Sequence, residues 1–124
     1  MVPIDGVADY CYIRTVGRVT GRPHTIEIWF ALRGRTLYVL AGSGRRADFV
    51  RNAMKTPEVT VRIGSRRARE LRATARVVTS EEEDALARRM LLEKYAGADD
   101  DLDEWGRTAL PVAFDVVHAD LRSS

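Results

Sequence analysis

Two glycine–arginine clusters are the residues of this chain best suited to chemistry. The first, Gly17-Arg18-Val19-Thr20-Gly21-Arg22, places two Gly-Arg pairs four residues apart. Its glycines let the backbone adopt positive φ and approach a ligand closely. Successive N–H groups, the Thr20 hydroxyl and the guanidinium groups could then form an anion nest. A plain turn between strands, with arginines facing water, fits the same spacing equally well.

The second cluster is AGSGRRADFVRN, residues 41–52, between an expected strand and an expected helix. This position predicts that Ser43 and Gly44 lie at a helix N-terminus, where free N–H groups and the helix dipole attract anions. Arg45 and Arg46 add positive charge, whereas an ordinary helix entry stabilised by Asp48 is the alternative. Two anion-competent loops in one small domain favour a grip on a single extended anion. Neither loop contains the GxxxxGK[ST] phosphate loop or the three spaced glycines of a dinucleotide fingerprint.

The charge distribution also predicts an anionic partner. Residues 14–76 hold 14 arginines and Lys55 against four carboxylates, whereas residues 77–124 hold five basic and twelve acidic side chains. Nucleic acid and a multiply charged cofactor both fit such a basic half, and a solvated surface explains part of it. His24 and His118 lie far apart and outside any ligand-spaced cluster, so no metal site is predicted. No residue of the sequence is singled out as catalytic.

Length and composition indicate one globular domain over residues 1–124. The chain has 45% hydrophobic and 31% charged residues, which excludes a disordered protein. No apolar run approaches the ~20 residues of a transmembrane helix, and the N-terminus lacks the pattern of a secretory signal. The single cysteine, Cys11, excludes an intrachain disulfide and suits a reducing compartment. A cytoplasmic location is therefore expected.

Six strands are predicted. Period-two alternation predicts those at residues 10–16, 25–32, 59–63 and 71–77 and from residue 112 onward, and the Arg33-Gly34 turn predicts a hairpin strand at residues 36–41. Two helices are predicted between them. The first covers residues 47–55 and ends before Pro57, and the second begins at Ser80, which forms a capping box with Glu83, and ends at Gly97. Residues 98–104 fit a loop or a short helical turn. The predicted fold is mainly β (α+β), a small antiparallel barrel of six strands with two main helices.

Three aromatic residues are candidates for a pocket. Trp29 shares a strand face with Glu27, opposite the Ile-Phe-Leu face, and is expected to line a cavity or a dimer contact. Tyr95 and Trp105 flank the acidic segment and could form the wall of a pocket. Ordinary core packing explains each of the three as well.

Taken in order, these pieces resemble the deazaflavin (F420)-dependent nitroreductase family, split β-barrels related to the pyridoxamine-phosphate-oxidase-like flavoproteins. The matching stretches are TVGRVTGRP, HTIEIWFALRGRTLYVLAGSG and RRADFVRNAMKTPEVTVRIG, with a weaker match in EKYAGADDDLDEWGRTALPVAFDV. The resemblance implies a split β-barrel that binds coenzyme F420, whose phosphodiester and oligoglutamate tail would be the expected anion. It implies an F420H2-dependent reductase that transfers a hydride to an electron-poor acceptor such as a quinone, an enone or a nitroaromatic.

Carried over by position, the resemblance also implies site residues. The cofactor-binding residues would be Thr15, Gly17, Arg18, Thr20, Gly21, Ser43, Gly44, Arg45, Arg46 and Asn52. The substrate pocket would include Phe49, Tyr95 and Trp105, with Trp29 beside them. Phe49 stands where the family often has tryptophan, so it keeps an aromatic face and loses an indole N–H. Water or Tyr95 would deliver the proton that accompanies the hydride.

Three other interpretations remain open at this point. The barrel could bind FMN instead, because a fold does not settle a cofactor, or it could be a non-catalytic member of the same family. A nucleic-acid-binding sheet would need aromatic residues among its arginines. The arginines of residues 62–72 have no aromatic neighbours in the sequence. The expected partners are therefore a small-molecule acceptor and a second copy in a homodimer, and no nucleic acid.

Overall fold

A computed structural model describes residues 7–97 and 102–117. Within these ranges the chain forms three α-helices and a single 3-10 turn on one antiparallel sheet of seven strands. The strands are β1 (Cys11–Val16), β2 (Pro23–Ile28), β3 (Ala31–Arg33), β4 (Thr36–Ala41), β5 (Glu58–Ile63), β6 (Leu71–Val77) and β7 (Leu110–Val116). The helices are α1 (Asp48–Lys55), α2 (Glu81–Lys94) and α3 (Leu102–Thr108), and the 3-10 turn is Gly44–Arg46.

The seventh strand arises because the strand predicted at residues 25–32 is broken at Trp29 and Phe30. Phe30 and the next residue, Ala31, are both buried, so the period-two alternation stops there. Before the break β2 pairs with β1, and after it β3 pairs with β4. The strand order is β2-β1-β5-β6-β7-β4-β3. The two edge strands are thus consecutive in the chain, and the sheet curls into the antiparallel half-barrel predicted, with seven strands instead of six.

The sheet has a hydrophobic core on each face. Inside the curve, the inward side chains of the strands pack with α1, through Val50 and Ala53. On the outer face of β3, β4 and β7, a second core lies under α2 and α3 and contains Tyr38, Leu40, Ala87, Leu91 and Tyr95. Burial on both faces explains why five consecutive residues of β4 are buried, and it fixes the position of the loop that follows β4.

Helix ends follow the sequence signals only in part. The Ser80 hydroxyl accepts a hydrogen bond from the backbone N–H of Glu83 at 3.3 Å, as predicted for α2. The Glu83 side chain does not complete the capping box; it accepts hydrogen bonds from Tyr38 at 2.6 Å and from Arg76 at 2.6 and 2.8 Å. This bond set ties the first turn of α2 to the sheet.

The C-terminal part of the acidic segment forms the start of α3, which continues through Trp105; residues 98–101 and His118 lie outside the described residues. None of the described helices is both long and apolar enough to cross a membrane.

The homodimer stays a prediction. Phe114, an aromatic residue of β7, is fully buried in the first core and offers no surface for a dimer contact.

Candidate functional site

The first glycine–arginine cluster is the β1–β2 loop, and it lies along one face of α1. The backbone N–H of Arg18 donates to Oδ1 of Asn52 at 3.1 Å, and Nη1 of Arg18 donates to the same oxygen at 2.9 Å. Nη2 of Arg18 donates to Asp48 at 3.1 Å. Lys55 Nζ donates to the backbone oxygen of Arg18 at 2.9 Å. Residues 48, 52 and 55 have the i, i+4, i+7 spacing of one helix face, so the whole helix holds this loop.

The loop is closed by its own backbone. The N–H of Gly17 donates to the oxygen of Arg22 at 2.8 Å, and that of Gly21 donates to the oxygen of Gly17 at 2.9 Å. The N–H of Arg22 donates to the Thr20 hydroxyl at 3.2 Å. With the N–H of Arg18, four of the six backbone donors are thus engaged within the protein. What the loop offers an anion is therefore chiefly its guanidinium groups, and less of a backbone nest than the sequence suggested.

The second cluster is arranged differently from the prediction. Ser43 precedes the 3-10 turn, and α1 begins only at Asp48, with Ala47 as its N-cap and no side-chain cap. Ser43 and Gly44 therefore do not lie at the N-terminus of α1, because a separate turn intervenes. Gly44 has φ of +60°, a conformation that favours glycine. Ser43, Arg45 and Arg46 are exposed on this turn.

The structure brings the two clusters together at α1. The bond from Arg18 to Asp48 joins the first loop to the residue that begins α1, immediately after the 3-10 turn. Asp48 and Lys55 are partners of this loop that sequence reasoning missed. Their spacing with Asn52 was the available signal, but a sequence does not tell which segment a helix face contacts.

Two buried polar residues lie behind Arg18. Thr15 and Asn52 are 1% and 2% exposed, and both belong to the predicted cofactor-binding set. Nδ2 of Asn52 donates to the Thr15 hydroxyl at 3.2 Å. Thr15 therefore contacts the Asn52 amide that holds Arg18, and both polar side chains have partners inside the protein.

An aromatic cavity of about 370 Å³ lies beside the second cluster. The rings of Trp29 and Trp105 meet edge to face, with centroids 5.7 Å apart. A Cβ added at Gly42 would lie 4.0 Å from Cδ1 of Trp105, so the start of the second cluster is next to one residue of the cavity wall, although Gly42 itself does not line the cavity. Residues from β2, β4, α3 and the segments that flank β1 and β2 line it: Tyr10, Glu27, Ile28, Trp29, Leu40, Leu102 and Trp105.

Tyr95 supports this cavity from behind. Its ring stacks on Trp29 with centroids 4.2 Å apart and planes 2° from parallel. Its hydroxyl accepts from the N–H of Phe30 at 3.0 Å and donates to the backbone oxygen of Asp9 at 2.7 Å. Burial raises the pKa of Tyr95 to about 12. The hydroxyl is thus committed to the backbone, which is incompatible with its suggested role as a proton donor to a bound acceptor.

Phe49 is separated from the other predicted pocket residues. It lies on α1, packs against the first core and does not line the aromatic cavity.

Cys11 is fully buried, and desolvation raises the pKa of its thiol to about 12. A thiol with so high a pKa is a poor nucleophile. Among the described residues, no group of three His, Cys, Asp or Glu side chains could hold a metal ion.

The basic outer face of β1 and β5 includes an aromatic residue next to an arginine, which the sequence argument against nucleic-acid binding did not expect. The guanidinium of Arg66 lies 4.7 Å from the ring centroid of Tyr12, so one arginine of this stretch does have an aromatic neighbour. Glu70 pairs with Arg14 and, at 3.5 Å, with Arg62. The sequence argument against a nucleic-acid surface therefore loses one of its grounds, whereas carboxylates neutralise part of the charge.

Comparison with protein families decides among the cofactors that such a site could hold. The sequence model of the F420H(2)-dependent quinone reductase family matches residues 4–117. The chain belongs to this family. Membership makes it an F420H2-dependent reductase whose cofactor is coenzyme F420, and it confirms the resemblance and the cofactor that the sequence motifs implied. No curated protein matches the chain.

Solved structures show how widely the fold of this F420-dependent reductase is shared. An F420 reductase has 18% identity and a TM-score of 0.64, with 94% of this chain and 96% of that one covered. The heme storage protein HutZ of Vibrio cholerae has 16% identity and a TM-score of 0.70, with coverage of 89% and 82%. A Listeria innocua protein described as a pyridoxamine 5′-phosphate oxidase has 16% identity and a TM-score of 0.64, with coverage of 87% and 83%. These likenesses show the split-barrel fold, and only the family match bears on the cofactor.

Proposed function

We propose that this reductase transfers a hydride from reduced coenzyme F420 to a quinone, an enone or a nitroaromatic held in the aromatic cavity. The observation that carries the proposal is the proximity of Gly42, in the second glycine–arginine cluster, to Trp105 in the cavity wall. A cofactor held at the clusters would extend from there into the cavity. Its reactive ring would then lie beside an acceptor enclosed by Trp29 and Trp105.

The donor set fits the anionic part of this cofactor. Arg18 and the Thr20 hydroxyl would hold it on one side, and the segment of residues 43–46 on the other, whereas Gly17 and Gly21 keep the loop closed through their own N–H groups. Guanidinium groups bind phosphate and carboxylate through paired, charge-assisted hydrogen bonds. The exposed Arg22, Arg45 and Arg46 place several such groups around the two loops. An anion with several charges along its length, such as a phosphodiester followed by glutamates, is the ligand that this arrangement favours over a single terminal phosphate.

When bound, the reduced deazaflavin supplies the hydride, and the protein supplies position and a partly dry cavity. The two indole rings, held at 87° to each other, offer a planar acceptor one face and one edge. Ile28, Leu40 and Leu102 add apolar surface to the wall, and Tyr10 and Glu27 add a hydroxyl and a carboxylate. Reduction of a quinone by a hydride also consumes one proton. Water is its source in this proposal, because the Tyr95 hydroxyl is bonded to the backbone.

Titration of the purified protein with oxidised F420 beside FMN tests the proposal. The chain contains two tryptophans, and both lie in the cavity wall, so their fluorescence reports on the cavity. We expect saturable quenching by F420, weaker binding of FMN, and a loss of F420 affinity as salt rises. Arg18→Ala should weaken F420 binding at least tenfold, the order expected for a hydrogen bond to a charged group. Arg89→Ala, which removes an exposed arginine of α2, is the matched control and should change little.

Turnover with a quinone, an enone and a nitroaromatic then defines the acceptor. We expect reduced F420 to be reoxidised when at least one of the three is added to the protein. A protein that binds F420 and reoxidises it with none of them would refute the proposed acceptor class. Tighter binding of FMN than of F420 would contradict the cofactor placement itself.

A further inference from the structure

Arg18, the arginine of the β1–β2 loop that the proposed function places at the cofactor, is held by a buried amide. We propose that Asn52, supported by Thr15, is a positioning residue that orients Arg18 toward the anionic part of F420 and does not itself touch the cofactor. This inference rests on the proposed function, in which Arg18 holds the cofactor. It assigns to Asn52 and Thr15 a role different from the direct contact implied by the family resemblance.

The bonding capacity of Asn52 is largely used inside the protein. An amide side chain has two acceptor lone pairs on its oxygen and two N–H donors. Oδ1 accepts from the backbone N–H and from Nη1 of Arg18, at 3.1 and 2.9 Å. Nδ2 donates one hydrogen to the Thr15 hydroxyl at 3.2 Å. With 2% of its surface exposed, Asn52 presents almost nothing to a ligand in solvent.

The geometry explains why one amide can orient the whole arginine. A single oxygen holds both the backbone and the guanidinium of Arg18, so the loop conformation and the side-chain direction are fixed together. Asp48 also binds the guanidinium, but its side chain is 83% exposed, whereas that of Arg18 is 24% exposed. Solvent weakens such an exposed ion pair. The buried amide is therefore the firmer anchor, and its removal leaves two Arg18 donors without their acceptor.

A double-mutant cycle on F420 binding tests whether Asn52 acts through Arg18. The dissociation constant of oxidised F420 is measured for the wild-type chain, Asn52→Ala, Arg18→Ala and the double variant. We expect Asn52→Ala alone to weaken binding about tenfold, because one charge-assisted anchor is lost. In the Arg18→Ala background, Asn52→Ala should change the F420 dissociation constant by less than about twofold, which is within the deviation from additivity seen for independent sites. A direct contact between Asn52 and the cofactor would instead keep its full cost in that background.

Three further variants separate positioning from loss of folding. Thr15→Val keeps the shape and removes the hydroxyl that accepts from Asn52, so it should weaken binding about threefold, as loss of one neutral hydrogen bond does. Thr15→Ser should restore binding. If Asn52→Ala does not fold, the cycle is run with Thr15→Val. Val50→Ala, which creates a cavity on the same helix away from Arg18, is the control for destabilisation and should leave F420 affinity unchanged in the folded protein.

The outcomes distinguish this inference from the proposed function. A wild-type chain that does not bind F420 overturns the placement of the cofactor, and the inference with it. A wild-type chain that binds F420, with additive costs of the Asn52 and Arg18 substitutions, overturns only the inference. The salt dependence gives a second readout. We expect Asn52→Ala to flatten it as Arg18→Ala does, and an unchanged slope would contradict the positioning role.

Discussion

Substitution of Gly17 should reveal how tightly the β1–β2 loop is closed. A Cβ at this position would lie 2.8 Å from the backbone oxygen of Arg22 and 2.9 Å from the ring of His24. The same oxygen accepts the hydrogen bond of the Gly17 N–H at 2.8 Å. The backbone cannot move away from the new carbon without losing that bond. Gly17→Ala should therefore open the loop that carries Arg18.

The magnitude follows from two costs. Overpacking of a closed site costs about 1–3 kcal/mol, and a lost hydrogen bond costs about 1 kcal/mol. We expect the free energy of unfolding to fall by about 2–4 kcal/mol in Gly17→Ala. Gly21 provides the matched comparison, because its φ is +75° and a Cβ there would meet no atom within 4 Å. Gly21→Ala should cost about 1–2 kcal/mol, from backbone strain alone.

Asparagine separates the two mechanisms. It tolerates the left-handed conformation better than alanine does, so Gly21→Asn should be less destabilising than Gly21→Ala. At Gly17, where space is the limit, Gly17→Asn should be at least as destabilising as Gly17→Ala. Urea unfolding of the four variants, with the slope m checked for constancy, measures these differences. A Gly17→Ala protein within about 0.5 kcal/mol of wild type, the range of ordinary surface changes, would refute the steric reasoning.

Three further predictions concern other parts of the molecule. Hydrogen bonds from Arg76 and Tyr38 lower the pKa of Glu83 from 4.5 to about 2. The stability that Glu83 contributes is therefore present above pH 4.5 and lost as pH falls toward 2. Glu83→Gln should make the free energy of unfolding less dependent on pH over this interval, as measured by acid unfolding monitored with circular dichroism. Asp48→Asn removes an exposed carboxylate from Arg18 and should tighten F420 binding a few-fold in titrations, with a stability change below about 1 kcal/mol; weaker binding would contradict it. Trp105→Leu should raise the KM for the acceptor in steady-state assays and leave the F420 dissociation constant within about twofold, within the error of additivity.

The strands show where a sequence pattern suffices. β4 and β6 have the bounds that the sequence predicted. β6 shows a clear period of two, whereas β4, which is buried on both faces, was marked by the turn at Gly34. The break at Trp29 and Phe30 was missed, since the apolar period continues through residues 26, 28, 30 and 32. Pairing decides this break: residue 28 pairs with β1 and residue 31 with β4, at opposite ends of the sheet order. Tertiary partners overrule a local pattern here.

The two parts of the candidate site, the Gly-Arg loop and the aromatic cavity, were predictable from the sequence to different extents. Local composition was enough to single out the Gly-Arg loop as a candidate, because its glycines and arginines lie within six residues. The partners of Arg18 were not predictable, since a polar helix face does not specify what it contacts. The cavity was least predictable. Tyr10, Leu40 and Leu102 reach it from separate elements, and no spacing in the sequence joins them to Trp29.

Gly42 is the position where one substitution should affect both cofactor and acceptor. The first glycine–arginine cluster is held by α1 and the second leads into it, whereas the cavity wall comes from β2, β4, α3 and the segments beside β1 and β2, and Gly42 and Trp105 lie where the two parts approach each other. A Cβ at Gly42 would lie 4.0 Å from Cδ1 of Trp105, an ordinary contact, so Gly42→Ala should change neither the F420 dissociation constant nor the acceptor KM.

A larger side chain has no such room. Gly42→Leu should push Trp105 away from the second cluster and raise both constants together, measured by titration and by steady-state kinetics on the same preparation. Since Trp105→Leu is expected to alter the acceptor constant alone, the pair of variants locates the junction. If Gly42→Leu changed only one constant, the cofactor and the acceptor would not meet at this residue, and the path from the loops into the cavity would have to run elsewhere.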